Sequence, residues 1–311
     1  FDNEILLQTE YRQANKNSDL VLDFSLNNDE SGTKRHIFLD IESNKENKEI
    51  NFHVETVSND TYLKQENIES SIHNDRSLLY SYLNYSSIET DSSLEISLEA
   101  YEDLNKKKTD RFEYIFPNFD YEKNLNNDDL SAKGELVYNA RGFNKNYNTN
   151  SDETILINDL QYFSFSSISS YIDGLQNNYQ FLIRNLNSNT ENSSNFKDGE
   201  DQQLLSTIMF ESNLPLKKIN QKFDSYLTPK FSARYSPNST KNNSNSNQTI
   251  TYENIFSMDR IDDSAVEGGE SLTLGIEYSS KHKTGNDFLN LSFANILRLN
   301  ENPDLPKIHG A

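Results

Sequence analysis

The chain has 311 residues, no cysteine and a formal net charge of -20. The charge argues against a nucleic-acid partner bound through its phosphates, and the lack of cysteine excludes disulfides, thiolate metal sites and a catalytic thiol. Only 34% of the residues are apolar and the mean hydropathy is -0.82, yet 17 tyrosines and 18 phenylalanines argue against a disordered chain. No apolar run approaches the roughly 20 residues of a transmembrane helix, although a membrane-crossing strand is not excluded.

Apolar and polar residues alternate along most of the chain. Because successive side chains in extended backbone point to opposite faces, this period of two predicts about 12 to 15 β-strands. The connections are rich in Asn, Ser, Lys and Gly, and none looks like an interdomain linker, so we expect one continuous antiparallel sheet. In chain order, the runs lie at 5–11, 20–26, 37–42, 50–56, 77–86, 94–100, 110–116, 136–140, 155–166, 179–184, 203–212, 230–235, 250–254, 272–278 and 287–297.

Alternation alone does not separate a soluble sandwich from a membrane barrel, since each has strands with unlike faces. Two features favour the barrel. The runs approach the 9 to 11 residues of a tilted membrane strand, and aromatic residues lie near the predicted strand ends, where an interfacial girdle would form. These aromatics are Tyr11, Tyr101, Tyr114, Phe116, Tyr138, Tyr179, Tyr235, Tyr252, Phe256 and Tyr278.

Motifs that could carry chemistry are weak. Gly269 and Ser271 resemble half of a nucleophile elbow, but Thr273 stands where the second glycine belongs, so we expect a strand-start turn in which Gly268 and Gly269 take positive φ. The loop at 27–32 resembles a calcium loop but lacks its bidentate glutamate.

Other candidate groups also have simpler interpretations. The histidines show no ligand spacing, and the carboxylate pairs at 262–263 and at Glu95 and Glu99 are typical of solvated faces. We therefore expect no catalytic residue, metal or cofactor, and no enzyme activity.

Six blocks of the sequence, taken in order, resemble the lipopolysaccharide-assembly outer-membrane protein family, LptD, and its α-proteobacterial branch in particular. The blocks are "DTYLKQENI" at 60–68, "EYIFPNFDY" at 113–121, "LTPKFSARYSPNSTKN" at 227–242, "YENIFSMDRI" at 252–261, "VEGGESLTLGIEY" at 266–278 and "NPDLPKIHGA" at 302–311. The motif residues that we single out are Leu227, Thr228, Pro229, Glu267, Gly268 and Gly269.

The resemblance implies an all-β, antiparallel transmembrane barrel in the bacterial outer membrane that inserts lipopolysaccharide into the outer leaflet. It also implies an LptE-like plug lipoprotein, a periplasmic bridge protein that docks through a jellyroll domain, and the barrel-assembly machinery as partners. We expect residues 1–311 to form part of a larger barrel domain, without the N-terminal periplasmic jellyroll and the final C-terminal strands. A porin-like diffusion channel and a soluble or surface β-rich binding protein remain the alternatives.

Two strands supply the candidate site residues. We expect one row to face lipid and the other to face the lumen, with Gly275 leaving room for the close approach of a plug. An arginine at position 274 should therefore be costly, and an arginine at position 273 should be tolerated. The lipid-facing candidates are Leu272, Leu274, Ile276, Tyr278, Phe231 and Ala233, and the lumen-facing candidates are Thr273, Gly275, Glu277, Lys230, Ser232 and Arg234.

Overall fold

The computed structural model describes residues 5–29, 32–131, 133–245, 249–258, 260–261, 265–284 and 287–300. Short helices are few and strands dominate. The helices are α1 (Tyr62–Gln65), a 3-10 helix (Lys108–Asp110) and α2 (Asp128–Ser131). The strands are β1 (Ile5–Ala14), β2 (Ser18–Asp29), β3 (Gly32–Lys45), β4 (Lys48–Val57), β5 (Leu78–Ile88), β6 (Ser92–Asp103), β7 (Phe112–Asn124), β8 (Glu135–Tyr147), β9 (Glu153–Ile168), β10 (Gln176–Glu191), β11 (Gly199–Asn213), β12 (Leu216–Ile219), β13 (Phe223–Ser236), β14 (Lys241–Asn242), β15 (Ala265–Val266), β16 (Gly269–His282) and β17 (Asp287–Arg298).

The expected all-β class and continuous antiparallel sheet are confirmed. Fifteen strands form one sheet in which sequence neighbours pair from β1 to β11, followed by β13, β16 and β17, while β12 pairs with β13. Strands β14 and β15 form a separate small sheet. In the described ranges no pairing joins β1 with β17. No helix in these ranges has the length and apolar character needed to cross a membrane.

One predicted strand is wrong. The alternation of Ile250, Tyr252 and Asn254 predicts extended backbone, but residues 249–258 form turns, with the amide of Ile255 donating to the carbonyl of Thr251. Asn254 holds one of these turns, because its side-chain oxygen accepts a hydrogen bond from the amide of Thr251 at 2.8 Å. Local side-chain bonds of this kind compete with a strand ladder.

The chain divides into two compact units, and unit 1 has a core under one of its connections. Residues 58–77, between β4 and β5, pack Tyr62 and Leu63 against Phe38 of β3 and Leu79 of β5. The Tyr62 hydroxyl also lies 2.8 Å from the buried hydroxyl of Ser25. Unit 1 comprises the described residues within 1–123, 139–157 and 189–193, and unit 2 those within 124–138, 158–188 and 194–311.

Unit 2 likewise has a core beneath a connection. Leu182 of β10 and Met209 of β11 are buried against Met258, which belongs to the long connection between β13 and β16. Arg184 of β10 lies beside Leu182 on the same face and forms a buried, bidentate ion pair with Asp159 of β9, with its Nη2 2.8 Å from a carboxylate oxygen. In unit 2 the β13–β16 connection therefore packs on the face that carries the buried polar residues.

Candidate functional site

The two faces of β16 differ sharply in exposure. Leu272, Leu274 and Ile276 are 41%, 51% and 42% exposed, whereas Ser271 and Thr273 between them are 4% and 1% exposed. In a soluble core the apolar row would be the buried one. Here the polar row is covered and the apolar row is open, which is the arrangement of a strand whose apolar face meets lipid.

Pairing with β13 extends both rows across a second strand. Phe231 lies opposite Leu274, and Ala233 lies opposite Leu272, so these β13 residues share the apolar face. By the same register Leu227 and Pro229 fall opposite Tyr278 and Ile276 on that face. The family-motif residues Leu227 and Pro229 therefore contribute to the apolar row, and Thr228, opposite Glu277, contributes to the polar one.

The structure brings the predicted lumen-facing residues together on one face. Ser232 lies opposite Thr273, and both are buried. Lys230 lies opposite Gly275 and reaches Glu277, with its Nζ 3.0 Å from a carboxylate oxygen. Arg234, opposite Ser271, is buried and donates from Nη2 to the Thr207 hydroxyl of β11 at 3.4 Å. The full set on this face is Thr273, Gly275, Glu277, Lys230, Ser232 and Arg234.

The side chain of Arg260, which belongs to the β13–β16 connection, lies against the polar face of β16. The residue is 1% exposed. Its guanidinium donates to both carboxylate oxygens of Glu267, at 2.5 and 2.9 Å, and to the hydroxyls of Ser271 at 2.8 Å and Thr273 at 3.2 Å. A further bond runs to the carbonyl oxygen of Ile255 at 3.2 Å. A buried guanidinium needs this many acceptors to offset its lost hydration.

Glu267 joins this connection to β17 as well. One of its carboxylate oxygens accepts a bond from Nε of Arg298 at 3.0 Å while it also bonds Arg260. Burial alone would raise the pKa of Glu267, but the hydrogen bonds and charge of Arg260, with the charges of Arg234 and Arg298, outweigh it and hold the pKa below the ordinary range. The carboxylate is thus kept charged between basic side chains.

Phe256 fills the space above Gly275. A Cβ added at Gly275 would lie 2.6 Å from Cζ of Phe256, so only glycine leaves room for the ring. Nζ of Lys230 lies 5.5 Å from the ring centre of Tyr252 and 5.8 Å from that of Phe256, within cation–π range. The assignment of Tyr252 and Phe256 to strand ends in an aromatic girdle is therefore wrong. The group that approaches Gly275 closely belongs to this chain.

The glycine pair before β16 serves two different purposes. Gly269 has a φ of 81°, as expected for a strand-start turn, but Gly268 does not take a positive φ. Gly268 is required for space, because a Cβ there would lie 2.1 Å from the carbonyl oxygen of Asn238, and its amide donates to the Thr240 hydroxyl at 2.7 Å. Ser271 lies within β16 and accepts a hydrogen bond from Arg260, so it is not at the strand-to-helix turn that a nucleophile elbow requires.

Thr273 also changes one sequence-based expectation. The polar character of that face predicts that an arginine at position 273 is tolerated. The residue is buried beneath the guanidinium of Arg260, so a second guanidinium there would meet like charge and no free space. Exposed polar-face positions of the same sheet lie on β17, where Ser292 is opposite Glu277.

The histidines of unit 1 come together although their spacing in the sequence gives no sign of it. His53 and His73 both contact one carboxylate oxygen of Glu55, at 3.0 and 2.7 Å. The ring of Phe38 stacks on His36 and is tilted against His73. Over the described ranges, no group of three or more acidic or histidine side chains has an arrangement that could hold a metal ion. The carboxylate pair at 262–263 lies outside the described residues.

Arg260, Arg298 and the Arg184–Asp159 pair are the site residues that sequence reasoning missed. Arg260 and Glu267 stand in two neighbouring blocks of the family resemblance, seven positions apart with opposite charge. That pairing was the available signal. The alternation predicts a strand at 250–254 and a turn at Gly268 and Gly269 on either side of this pair, and it gives no sign that these residues form one folded connection.

A long antiparallel sheet with an open apolar row on one face and buried, paired charges on the other defines the class of outer-membrane β-barrel proteins. The chain belongs to the LptD family, described as LPS transport system D, which matches residues 8–309. Members of this family are outer-membrane proteins of Gram-negative bacteria with a role in lipopolysaccharide transport to the outer membrane. A comparison with curated proteins gave no match.

Proposed function

We propose that this chain is part of an outer-membrane translocon that inserts lipopolysaccharide into the outer leaflet. The observation that carries the proposal is the reversed exposure of β13 and β16, with Leu272, Leu274 and Ile276 open and Ser271 and Thr273 covered. Membership of the LptD family supports the same role. The chain acts by providing two unlike surfaces, and no covalent step is required of it.

The two surfaces match the two parts of an amphipathic glycolipid. Acyl chains stay in apolar surroundings along Leu272, Leu274, Ile276, Tyr278, Phe231 and Ala233, which we propose face lipid. The sugar portion stays on the polar side of the sheet, to which we assign Thr273, Gly275, Glu277, Lys230, Ser232 and Arg234. Of these, Lys230 and Glu277 keep partly exposed side chains that the sugar can meet, so that its hydroxyls need not enter hydrocarbon. Paired strands satisfy their own backbone groups, which lets this boundary exist within a membrane.

The partners follow from this role. We propose that the chain works with lipopolysaccharide, with a plug lipoprotein of the LptE kind, with a periplasmic bridge protein that docks through a jellyroll domain, and with the machinery that assembles barrels. We propose further that residues 1–311 belong to a single barrel domain. Each partner is testable by co-purification from outer membranes.

The test is a depletion experiment in cells whose own copy of the gene is switched off. Surface lipopolysaccharide is measured by labelling intact cells while the protein, or a Leu274→Arg variant, is supplied in trans. The proposal predicts that lipopolysaccharide is retained inside the cell on depletion and that the unaltered protein restores its surface appearance. Normal surface lipopolysaccharide after depletion would contradict it.

A porin-like diffusion channel is the alternative within transport, because it would share the barrel and its wet face. It predicts solute conductance by the purified protein without a co-purifying lipoprotein, and normal lipopolysaccharide export after depletion. A soluble β-rich binding protein predicts that the chain remains in the aqueous phase on detergent partition. The open apolar rows of β13, β16 and β17 favour the detergent phase.

A further inference from the structure

We propose that the described part of the β13–β16 connection after position 248 forms a resident plug on the polar face of unit 2. We call this stretch the inner segment; its described residues are 249–258, 260–261 and 265–268. It connects β13 with β16 but packs on the sheet instead of leaving it. The proposal does not depend on which molecule the protein transports, and it assigns to the chain itself a task that the family resemblance gives to a separate lipoprotein.

The first attachment of the inner segment is electrostatic. Arg260 bonds Glu267 within the segment and Ser271 and Thr273 on β16, and Glu267 bonds Arg298 on β17. The segment is therefore tied to two adjacent strands through Arg260 and Glu267, which are buried, and Arg298, whose side chain is 26% exposed. Arg260 and Glu267 both belong to the segment, so undocking it keeps their ion pair but breaks the bonds from Arg260 to Ser271 and Thr273 and the ion pair between Glu267 and Arg298. Hydrogen bonds that involve a charged group are the stronger ones, so their loss opposes undocking.

The second attachment is aromatic and the third is apolar. The ring of Phe256 sits against Gly275 of β16 and lies beside the ammonium of Lys230 on β13. Met258 is 6% exposed and packs on Leu182 and Met209. Together with the arginine cluster, these contacts reach β10, β11, β13, β16 and β17. Because three kinds of contact hold the inner segment to five strands, we expect it to stay docked on the sheet and to open rarely.

The inner segment limits where a partner can contact the polar face. The surface above Ser271, Thr273 and Gly275 is already covered by side chains of the inner segment. A separate plug protein would have to contact the outer side of the inner segment in this unit. The inner segment also reduces the free space over the polar face, and thus sets the size of solute that can pass along it.

The first test uses the absence of cysteine from this chain. Single-cysteine variants Met258→Cys and Tyr171→Cys are made in the full protein, purified in detergent and treated with a water-soluble maleimide. Tyr171 is the control, since it lies in unit 2 in the exposed connection between β9 and β10. A resident plug predicts that the cysteine at 258 reacts at least about tenfold more slowly than the one at 171. Equal rates would overturn the proposal.

The second test asks whether the arginine cluster holds the inner segment in place. Adding Glu267→Gln to the Met258→Cys variant is expected to speed labelling at 258 without changing the rate of the Tyr171→Cys control. An unchanged rate at 258 would contradict the role of Glu267 as the tie. If the double variant does not assemble, the comparison in the otherwise unaltered protein still decides whether the segment is resident.

The third test measures passage directly. Residues 249–261 are replaced by a short Gly-Ser linker, and the conductance of the purified protein is recorded in planar bilayers. The matched control shortens the exposed connection at 169–174, also in unit 2. The proposal predicts a larger conductance for the first variant only. Equal conductance of an assembled 249–261 variant and the control would contradict the assignment as a plug.

Discussion

Arg260 and Glu267 are oppositely charged and almost fully buried, and each is the charged partner of the other. Removing one partner of a buried ion pair typically costs about 3 to 5 kcal/mol, because the remaining charge stays buried. The Ser271 and Thr273 hydroxyls only partly replace a carboxylate, since they bring no charge. Arg260 is therefore expected to be among the least replaceable residues of unit 2.

Acid should loosen the inner segment through Glu267. Its pKa is lower in the folded protein than in the unfolded chain, so its stabilising contribution is complete above the ordinary value of 4.5 and is lost as the pH falls through the lower folded value. The labelling rate of Met258→Cys, divided by that of Tyr171→Cys and measured with a pyridyl disulfide that reacts in acid, is expected to rise over that range. Glu267→Gln should abolish most of this rise. An identical pH dependence in both backgrounds would show that other groups control docking.

A charge on the apolar row should be far more costly than a charge on an open position of the polar row. Leu274→Arg is expected to destabilise the barrel by about 2 to 4 kcal/mol if the position lies near the bilayer midplane. Ser292→Arg is the control, because Ser292 is exposed on the polar face of β17 and lies opposite Glu277. Equilibrium unfolding in lipid vesicles measures both. Equal free energies of unfolding would contradict the assignment of the two faces.

At the scale of the strands, Gly275 is the position at which β16 contacts the Phe256 ring of the inner segment. Gly275→Ala would place a methyl group against the Phe256 ring, and overpacking of this kind costs about 1 to 3 kcal/mol. In a Phe256→Ala background the same substitution should cost less, because the ring is gone and the Cβ of Ala294, 3.2 Å away, is the close contact that remains. A double-mutant cycle on the free energy of unfolding measures the coupling. Additive effects would mean that the two residues do not contact.

The strands could be predicted from the sequence because their signal is local. The period of two at 272–278 and 287–297 is visible without any knowledge of neighbours, and β16 and β17 include these runs. The sharing of faces by β13 and β16 also follows from alternation once the strands are paired. Period alone was misleading at 250–254, where apolar residues alternate but the backbone turns.

The inner segment could not be predicted because its contacts are tertiary. Nothing in the sequence near Arg260 indicates that it bonds Ser271 and Thr273, or that Glu267 also bonds Arg298. Likewise, the sequence showed that Gly275 permits a close approach, but only the packing shows that the approaching group is Phe256. The polar character of position 273 predicts that an arginine is tolerated there, but the burial of Thr273 under Arg260 reverses the expected effect.

For the molecule as a whole, the central claim is that the sheet turns its apolar face to lipid. The deciding measurement is the labelling of single-cysteine variants in intact outer membranes with a lipid-soluble and a water-soluble thiol reagent, at Leu272, Leu274 and Ile276 and at Asn290 and Ser292. We predict that the first three positions react only with the lipid-soluble reagent and the other two with the water-soluble one. If both sets react alike, or if the apolar set is protected from both reagents, the sheet does not face lipid and the account is contradicted.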